Sequence, residues 1–407
     1  MKTNRLIFGI AIVIIVAAFM AAIYLFLPGL TSPSSNGSES NPDLGFGSEA
    51  VQGEILEILE EGQIELGGVS QTYQILKVAI LEGDYQGLEL TVDYGVRQLR
   101  PEGLNLKPGD RIFLTIGRGV DNLLLARFLD FERTRPLLIL FGTFVLFSVL
   151  ISGWKGARGL LGMGISILVI IVYIIPQILD GKDPVLISVS GAFFLLAATL
   201  YLIYGWTLKT HAAVLGTLLS LILTALLASY FVDLTRLTGF GNEDALFLLQ
   251  QSEGVINMRG LVLGGMLIGA LGVLDDLVIT QASVVFELFG LNREIAFKDL
   301  FRRSMRVGQD HVAATVNTLV LAYAGAALPM FLLFSISGAR VGYLLNLEYV
   351  AEEVVRTMVG SLGLIAAVPL TTLLACWVAK SSTAGGRIWD YLGPASDGGG
   401  DHHGHHH

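Results

Sequence analysis

Two adjacent carboxylates, Asp275 and Asp276, interrupt an apolar, glycine-rich stretch, MRGLVLGGMLIGALGVLDDLVITQASVVFEL, that runs over residues 258–288. A helix of about 20 residues at 1.5 Å per residue crosses the ~30 Å hydrocarbon core of a bilayer. Side chains near the middle of such a span cannot snorkel to water. An ionised carboxylate there costs about 2.5 kcal/mol or more unless protein, water or a cation faces it. Asp276, Thr280, Ser283 and Glu287 follow the spacing i, i+4, i+7 and i+11, which lines up their oxygens on one helical stripe. Asp275 is rotated by about 100° from that stripe, and Gln281 lies on another flank. Gly265 and Gly269, with Gly260, Gly264 and Gly272 nearby, are read as the opposite side, where a second backbone can approach closely.

A second polar run follows in the next apolar segment: Gln309, Asp310, His311, Thr315, Asn317, Thr318 and Tyr323. If Glu287 and Asp310 mark matching ends of two antiparallel helices, Asp276 lies ~16 Å along from Glu287, at a depth comparable to Asn317 and Thr318. The two stripes are then expected to face each other. Two neighbouring carboxylates repel when both are charged, so one should keep a proton or both should share a cation. Oxygen ligands suit protons, sodium or a hard divalent cation such as Mg²⁺ or Mn²⁺, with Asp275, Asp276, Asp310 and Asn317 as the ligand set. No other cofactor is indicated. This chemistry points to a permease working by alternating access around those residues. Thr280, Ser283, Thr315 and Thr318, taken singly, are also the residues that tie helices together by hydrogen bonds worth about 0.6–2 kcal/mol each.

Other function classes stay open. An intramembrane enzyme needs aspartates on separate helices flanking a water, a role for Asp276 and Asp310, or a metal with basic groups such as Arg302, Arg303 and Arg306 near a phosphate. No Tyr-Asp and Gly-x-Gly-Asp pair is present. An envelope scaffold or accessory subunit would dock partners through a domain outside the membrane.

The elements that must position these residues are mainly helical. Of 407 residues, 53% are hydrophobic and 15% charged, the balance of a polytopic membrane protein. The net charge of −9, with basic residues dispersed, argues against nucleic-acid binding. The lone Cys376 excludes a disulfide within the chain. About eight membrane spans are expected, at 6–27, 136–153, 158–179, 184–204, 211–232, 259–287, 311–338 and 355–379. The first, within residues 1–30, reads as a retained signal anchor, with a cleaved signal peptide as the alternative. Residues 31–47 are a flexible linker rich in Ser, Gly, Asn and Pro. Pro176 and Pro369 mark kinks with freed carbonyls.

Over residues 48–133 the patterning changes to period two, in VQGEILEIL, TYQILKVAIL, GLELTVDYG, DRIFLTIG and NLLLARFLDF. Five short strands of this kind predict a small OB-like β-barrel, with LKPGD as the turn entering the fourth. Its surface is acidic and lacks the aromatic platform that binds bases. Lys and Arg concentrate in alternate connections, including Lys155, Arg158, Lys209, Arg293, Lys298, Arg302, Arg303, Arg306, Lys380 and Arg387. By the positive-inside rule the protein is a multi-pass protein of the cell membrane with both termini cytoplasmic and residues 31–133 extracytoplasmic. Residues 243–252 predict a short amphipathic helix capped by Asn242, and residues 295–305 a basic amphipathic helix at the lipid surface. Residues 381–407, ending in GGGDHHGHHH, form a disordered tail. Partners expected are the bilayer, a second copy of the chain, or an envelope component bound through the barrel.

Two runs, GALGVLDDLVITQASVVFEL and GQDHVAATVNTLVLAYAG, together with GWTLKTHAAVLGT, closely resemble signature stretches of the YibE/F family of bacterial membrane proteins. The resemblance spans roughly residues 134–380 and implies a seven-helix membrane domain there. It singles out Asp276, Ser283, Glu287, Asp310, Asn317, Thr318 and Tyr323, and brings no catalytic assignment with it.

Overall fold

The computed structural model describes residues 50–100, 103–118, 124–241, 243–252, 254–338 and 340–383, with isolated positions up to residue 395. The expected anchor, the linker, the Asn242 cap and most of the tail lie outside the described residues. Packing divides the chain into two compact units, one ending at Leu150 and the other beginning at Ile151.

Among the described residues of the first unit, five strands close a barrel: β1 (Ala50–Leu66), β2 (Val69–Ile80), β3 (Glu89–Tyr94), β4 (Arg111–Arg118) and β5 (Leu124–Phe131). Their order is β1-β2-β3-β5-β4, antiparallel throughout except for the parallel β3–β5 pair, an OB-type closure. The alternation read from the sequence puts Leu76, Val78 and Ile80 of β2 inside with Val92 and Tyr94 of β3 and Ile112 and Leu114 of β4. Gly109, at φ 91°, makes the expected turn into β4, where Asp110 accepts from the Lys107 N–H.

β1 and β2 extend well past their expected ends and meet at Gly67-Gly68, where φ values of 59° and 80° suit a two-residue hairpin turn. The part of β1 beyond Leu59 buries no side chain, and Glu60, Glu61 and Glu65 lie exposed along it. The β3–β4 connection is held by two buried amides. Gln71 donates to the carbonyls of Gly95 and Gln98, and Gln74 exchanges hydrogen bonds of 3.2 and 3.0 Å with Leu106.

Tyr94 packs its ring against Phe128 and Phe131 while its hydroxyl is buried without a partner. Burial pushes this phenol above its ordinary range, with the Arg100 guanidinium opposing. Tyr94→Phe keeps the ring contacts and removes the orphaned hydroxyl, and is expected to stabilise the barrel by about 1 kcal/mol. Gln74→Leu leaves the Leu106 N–H and carbonyl unpaired and is expected to cost about 1–3 kcal/mol. Thermal unfolding followed on the barrel's β signal checks both signs.

Seven of the eight expected spans fall on described residues, the first lying outside them. Among the described residues five helical stretches are long and apolar enough to cross a membrane, or six if one bent pair is counted as a span. The expected spans 136–153 and 158–179 run together over Thr134–Leu179. Within it, α1 (Thr134–Val169) breaks at Gly153, whose φ of 56° and ψ of −135° are non-helical. The helix then widens into a π turn at Ile170–Ile174 before α2 (Ile175–Leu179). Pro176 has no N–H to give the residue four back, and the Ile175 N–H bonds instead to Ile170, five back.

The second unit continues with α3 (Pro184–Tyr204), α4 (Leu208–Leu234), α5 (Glu243–Gln251) and α6 (Met258–Leu291). It is completed by α7 (Phe297–Ala326), α8 (Leu328–Ser337), α9 (Val341–Leu344) and α10 (Glu348–Thr383). Asp183, Thr207 and Asn257 cap α3, α4 and α6 by accepting first-turn N–H bonds, as their residue types favour. The core is built where α3, α4, α6 and α10 meet, from residues such as Leu196, Ala212, Leu274, Val278, Ala367 and Ala375. Small residues let these helices close up. A Cβ on Gly264 would stand 2.5 Å from Ser188 Oγ of α3, and one on Gly216 would stand 2.5 Å from Thr371 Oγ1 of α10.

The expected lipid-surface helix and the span after it form one helix, α7, which bends by 57° into α8. Ala327 and the proline in the first turn of α8 mark the break.

Candidate functional site

Asp275 and Asp276 lie near the middle of α6, which at 34 residues is longer than the apolar thickness requires. Their environments differ. Asp275 is partly buried, and its Oδ1 is buried with no hydrogen-bond partner. Asp276 is exposed, about 100° further round the helix. Tyr204, at the end of α3, lies close enough that the charges of both aspartates act on its hydroxyl. Lys209 of α4 places its Nζ 5.7 Å from the centre of the Tyr204 ring. Neither Tyr204 nor Lys209 was singled out from spacing, since both sit at helix ends far along the chain from the aspartates.

The glycines of α6 divide between two faces. Gly260 and Gly264 pack on Pro184 and Ser188 of α3, as a close-approach face should. Gly265, Gly269 and Gly272 are exposed and lie on the same stripe as Asp276, correcting the expectation that Gly265 and Gly269 lie opposite it. Eleven residues are close to three turns, so Gly265 and Asp276 share a face. The stripe is therefore a floor of glycine at the Met258 end that turns to oxygen at Asp276, Thr280, Ser283 and Glu287. Glu287 is exposed, while Thr280 and Ser283 are partly covered. Tyr323 of α7 overhangs the glycine part, its hydroxyl 3.4 Å from where a Gly269 Cβ would stand.

Apart from Tyr323, the polar residues expected to meet this floor, Asp310, Asn317 and Thr318, do not turn toward it. Gly308 faces α6 and α10, packed against Gln281 and Val368. Asn317 is nine residues on, about 180° away, and is exposed with Asp310 and Thr318. The two polar stripes are consequently not face to face. Asp275 and Asp276 stand together, Asp310 and Asn317 stand apart from them on the far side of α7, and among the described residues no three His, Cys, Asp or Glu side chains gather to hold a metal. The hydroxyls expected to bridge helices turn inward on their own: Ser283, Thr315 and Thr318 each donate to the carbonyl four residues back.

The bridge between helices is made instead by Gln281. It is fully buried, and its Nε2 donates to the Ser304 carbonyl at 3.0 Å and to Thr372 Oγ1 at 2.7 Å, joining α6, α7 and α10. Gln281 Oε1 and Ser304 Oγ remain buried and unpartnered. The sequence marked Gln281 only as a flank of the polar face; its partners come from helices distant in the chain.

The YibE/F-like protein family model matches residues 140–381. The chain belongs to that family. No curated protein and no solved structure matches it. The matched region of this YibE/F-like protein takes in α3, α4, α6, α7 and α10, and with them both aspartates, the glycine floor and the Gln281 bridge. Together the apolar helices and the family match make it a multi-pass membrane protein.

Proposed function

We propose that this protein is a permease coupled to protons or small cations, with the Asp275–Asp276 pair as its ion site. The observation that carries the reading is the pairing of one aspartate that has a buried, unsatisfied oxygen with a neighbour exposed on an open stripe. A carboxylate oxygen buried in a membrane domain without a donor is costly, and a proton or cation arriving from the exposed side removes that cost. The exposed floor of Gly265, Gly269 and Gly272 provides a path free of side chains toward Asp276, and Tyr323 is placed to cover it. Sodium, a proton, Mg²⁺ and Mn²⁺ all suit oxygen donors. Any fuller coordination shell would draw on water or the carried species, because Asp310 and Asn317 face elsewhere.

In the proposed orientation, Lys and Arg place the Leu291 end of α6 and both termini in the cytoplasm, and the barrel outside. The test is flux in reconstituted liposomes, screening protons, sodium, Mg²⁺ and Mn²⁺ under an imposed gradient. Ion-dependent flux above protein-free vesicles supports the reading; its absence for every ion rejects it.

A scaffold role has one observation in its favour. The β1–β2 arm projects beyond the barrel's paired strands, with Leu56, Leu59 and Val69 exposed among its glutamates. Shortening that arm should leave flux intact if transport is the function.

A further inference from the structure

The outward face of α7 carries an unanswered problem. Arg306, Asp310 and Asn317 recur at i, i+4 and i+11, with Ala313 and Ala314 between them, and all five are exposed. Arg302, one turn earlier, is taken by Asp299 at 2.6 Å. Among the described residues Arg306 and Asp310 have no such ion-pair partner. An amide within a membrane-crossing helix is unfavourable against lipid, Arg306 and Asp310 stand at the inner end of the same stripe in the proposed orientation, and the two alanines leave room for another backbone. Beyond the 57° bend, α8 exposes Leu328, Leu332, Leu333 and Ile336.

We propose that this face docks a second copy of the chain about a twofold axis along the membrane normal. Such an axis sets like residues opposite each other at equal depth. The stripe is self-complementary under it. Each Asn317 amide has both a donor and an acceptor, so two copies pair carbonyl to amide reciprocally. Arg306 of each copy reaches one turn, about 6 Å, along the axis to pair with Asp310 of the other, and Ala313 and Ala314 form the close crossing between. The apolar α8 helices flank the contact in lipid. The same surface explains why Asp310 and Asn317 stand away from the aspartate pair: they hold copies together instead of holding an ion within one.

The experiment uses full-length protein in membranes, with the buried Cys376 replaced by alanine so that introduced thiols alone report. Oxidising Asn317→Cys or Ala314→Cys should give a covalent dimer, while Phe193→Cys, exposed on α3, should not. In the Ala314→Cys background, Asn317→Leu should weaken the dimer about tenfold, the loss expected for a pair of interhelical hydrogen bonds in lipid. Arg306→Asp should also weaken it, and Arg306→Asp combined with Asp310→Arg should restore it. Failure of both α7 cysteines to link copies in folded protein overturns the proposal. So does a disulfide within one chain between Asn317→Cys and a cysteine placed in residues 6–27, which would make that segment the occupant. None of these results turns on whether the protein carries ions.

Discussion

Asp276→Asn is expected to leave the membrane domain folded and to reduce ion flux in liposomes to the level of protein-free vesicles. The side chain is exposed on α6, so exchanging carboxylate for amide strands no buried donor and the cost in stability is small. The amide keeps the shape but cannot take up a proton or supply the negative charge that draws a cation to mid-membrane depth. Asp275→Asn sharpens the test. Its carboxylate has a buried oxygen without a partner, and a neutral amide there is cheaper to bury, so this variant should unfold at higher temperature than the wild type, by an amount corresponding to about 1–3 kcal/mol, while also losing flux. A stabilised but inactive Asp275→Asn beside a neutral and inactive Asp276→Asn would show that the pair is retained for its chemistry at the expense of stability. Normal flux in Asp276→Asn would reject the ion site.

Gly308→Val is expected to be strongly damaging to the bundle. A Cβ at this position would stand 2.5 Å from Val368 Cγ1 and 2.7 Å from Gln281 Oε1, and the branched methyls add to the crowding. Relief requires α7 to move off α6 and α10, which breaks the Gln281 bonds to Ser304 and Thr372 together with the packing around them. Overpacking of a tight core costs about 1–3 kcal/mol, and the loss of the buried amide's partners adds to it, so a total near 3 kcal/mol is expected. Gly265→Val on the open stripe, where nothing lies within 4 Å, is the control and should unfold close to the wild type. Thermal unfolding in detergent compares the two. Equal midpoints would show that α7 is not seated on α6 as described.

The two sets of variants separate the oxygen stripe from the packing face, and that distinction is where reading the chain and seeing it folded part company. Period-two alternation in LKVAI and LTVDY was enough to establish a barrel, because each of those strands buries one face. Over EEGQIEL the alternation of Ile64 and Leu66 is too short to mark a strand, and none of these residues is buried. Hydropathy and proline marked two joints, the boundary at residue 153 and the kink at Pro176, but not the bend after Ala326, which interrupts a helix without interrupting apolar character.

From the amino acids alone came the class of protein, the family, the strand pattern of the barrel and two aspartates at a depth where charge needs an answer. Spacing also fixes angles between residues of one helix, so the shared face of Gly265 and Asp276 was available from their separation. Which angle of each helix meets a neighbour was decided only by folding. That is why Gln281 emerged as the interhelical bridge, why Tyr204 joined the aspartates, and why Asn317 and Asp310 turned away. The physical reason is that helical periodicity is a local property of the backbone. The facing of one helix on another depends instead on contacts between residues tens to a hundred positions apart, such as Gln281 with Thr372 and Gly216 with Thr371.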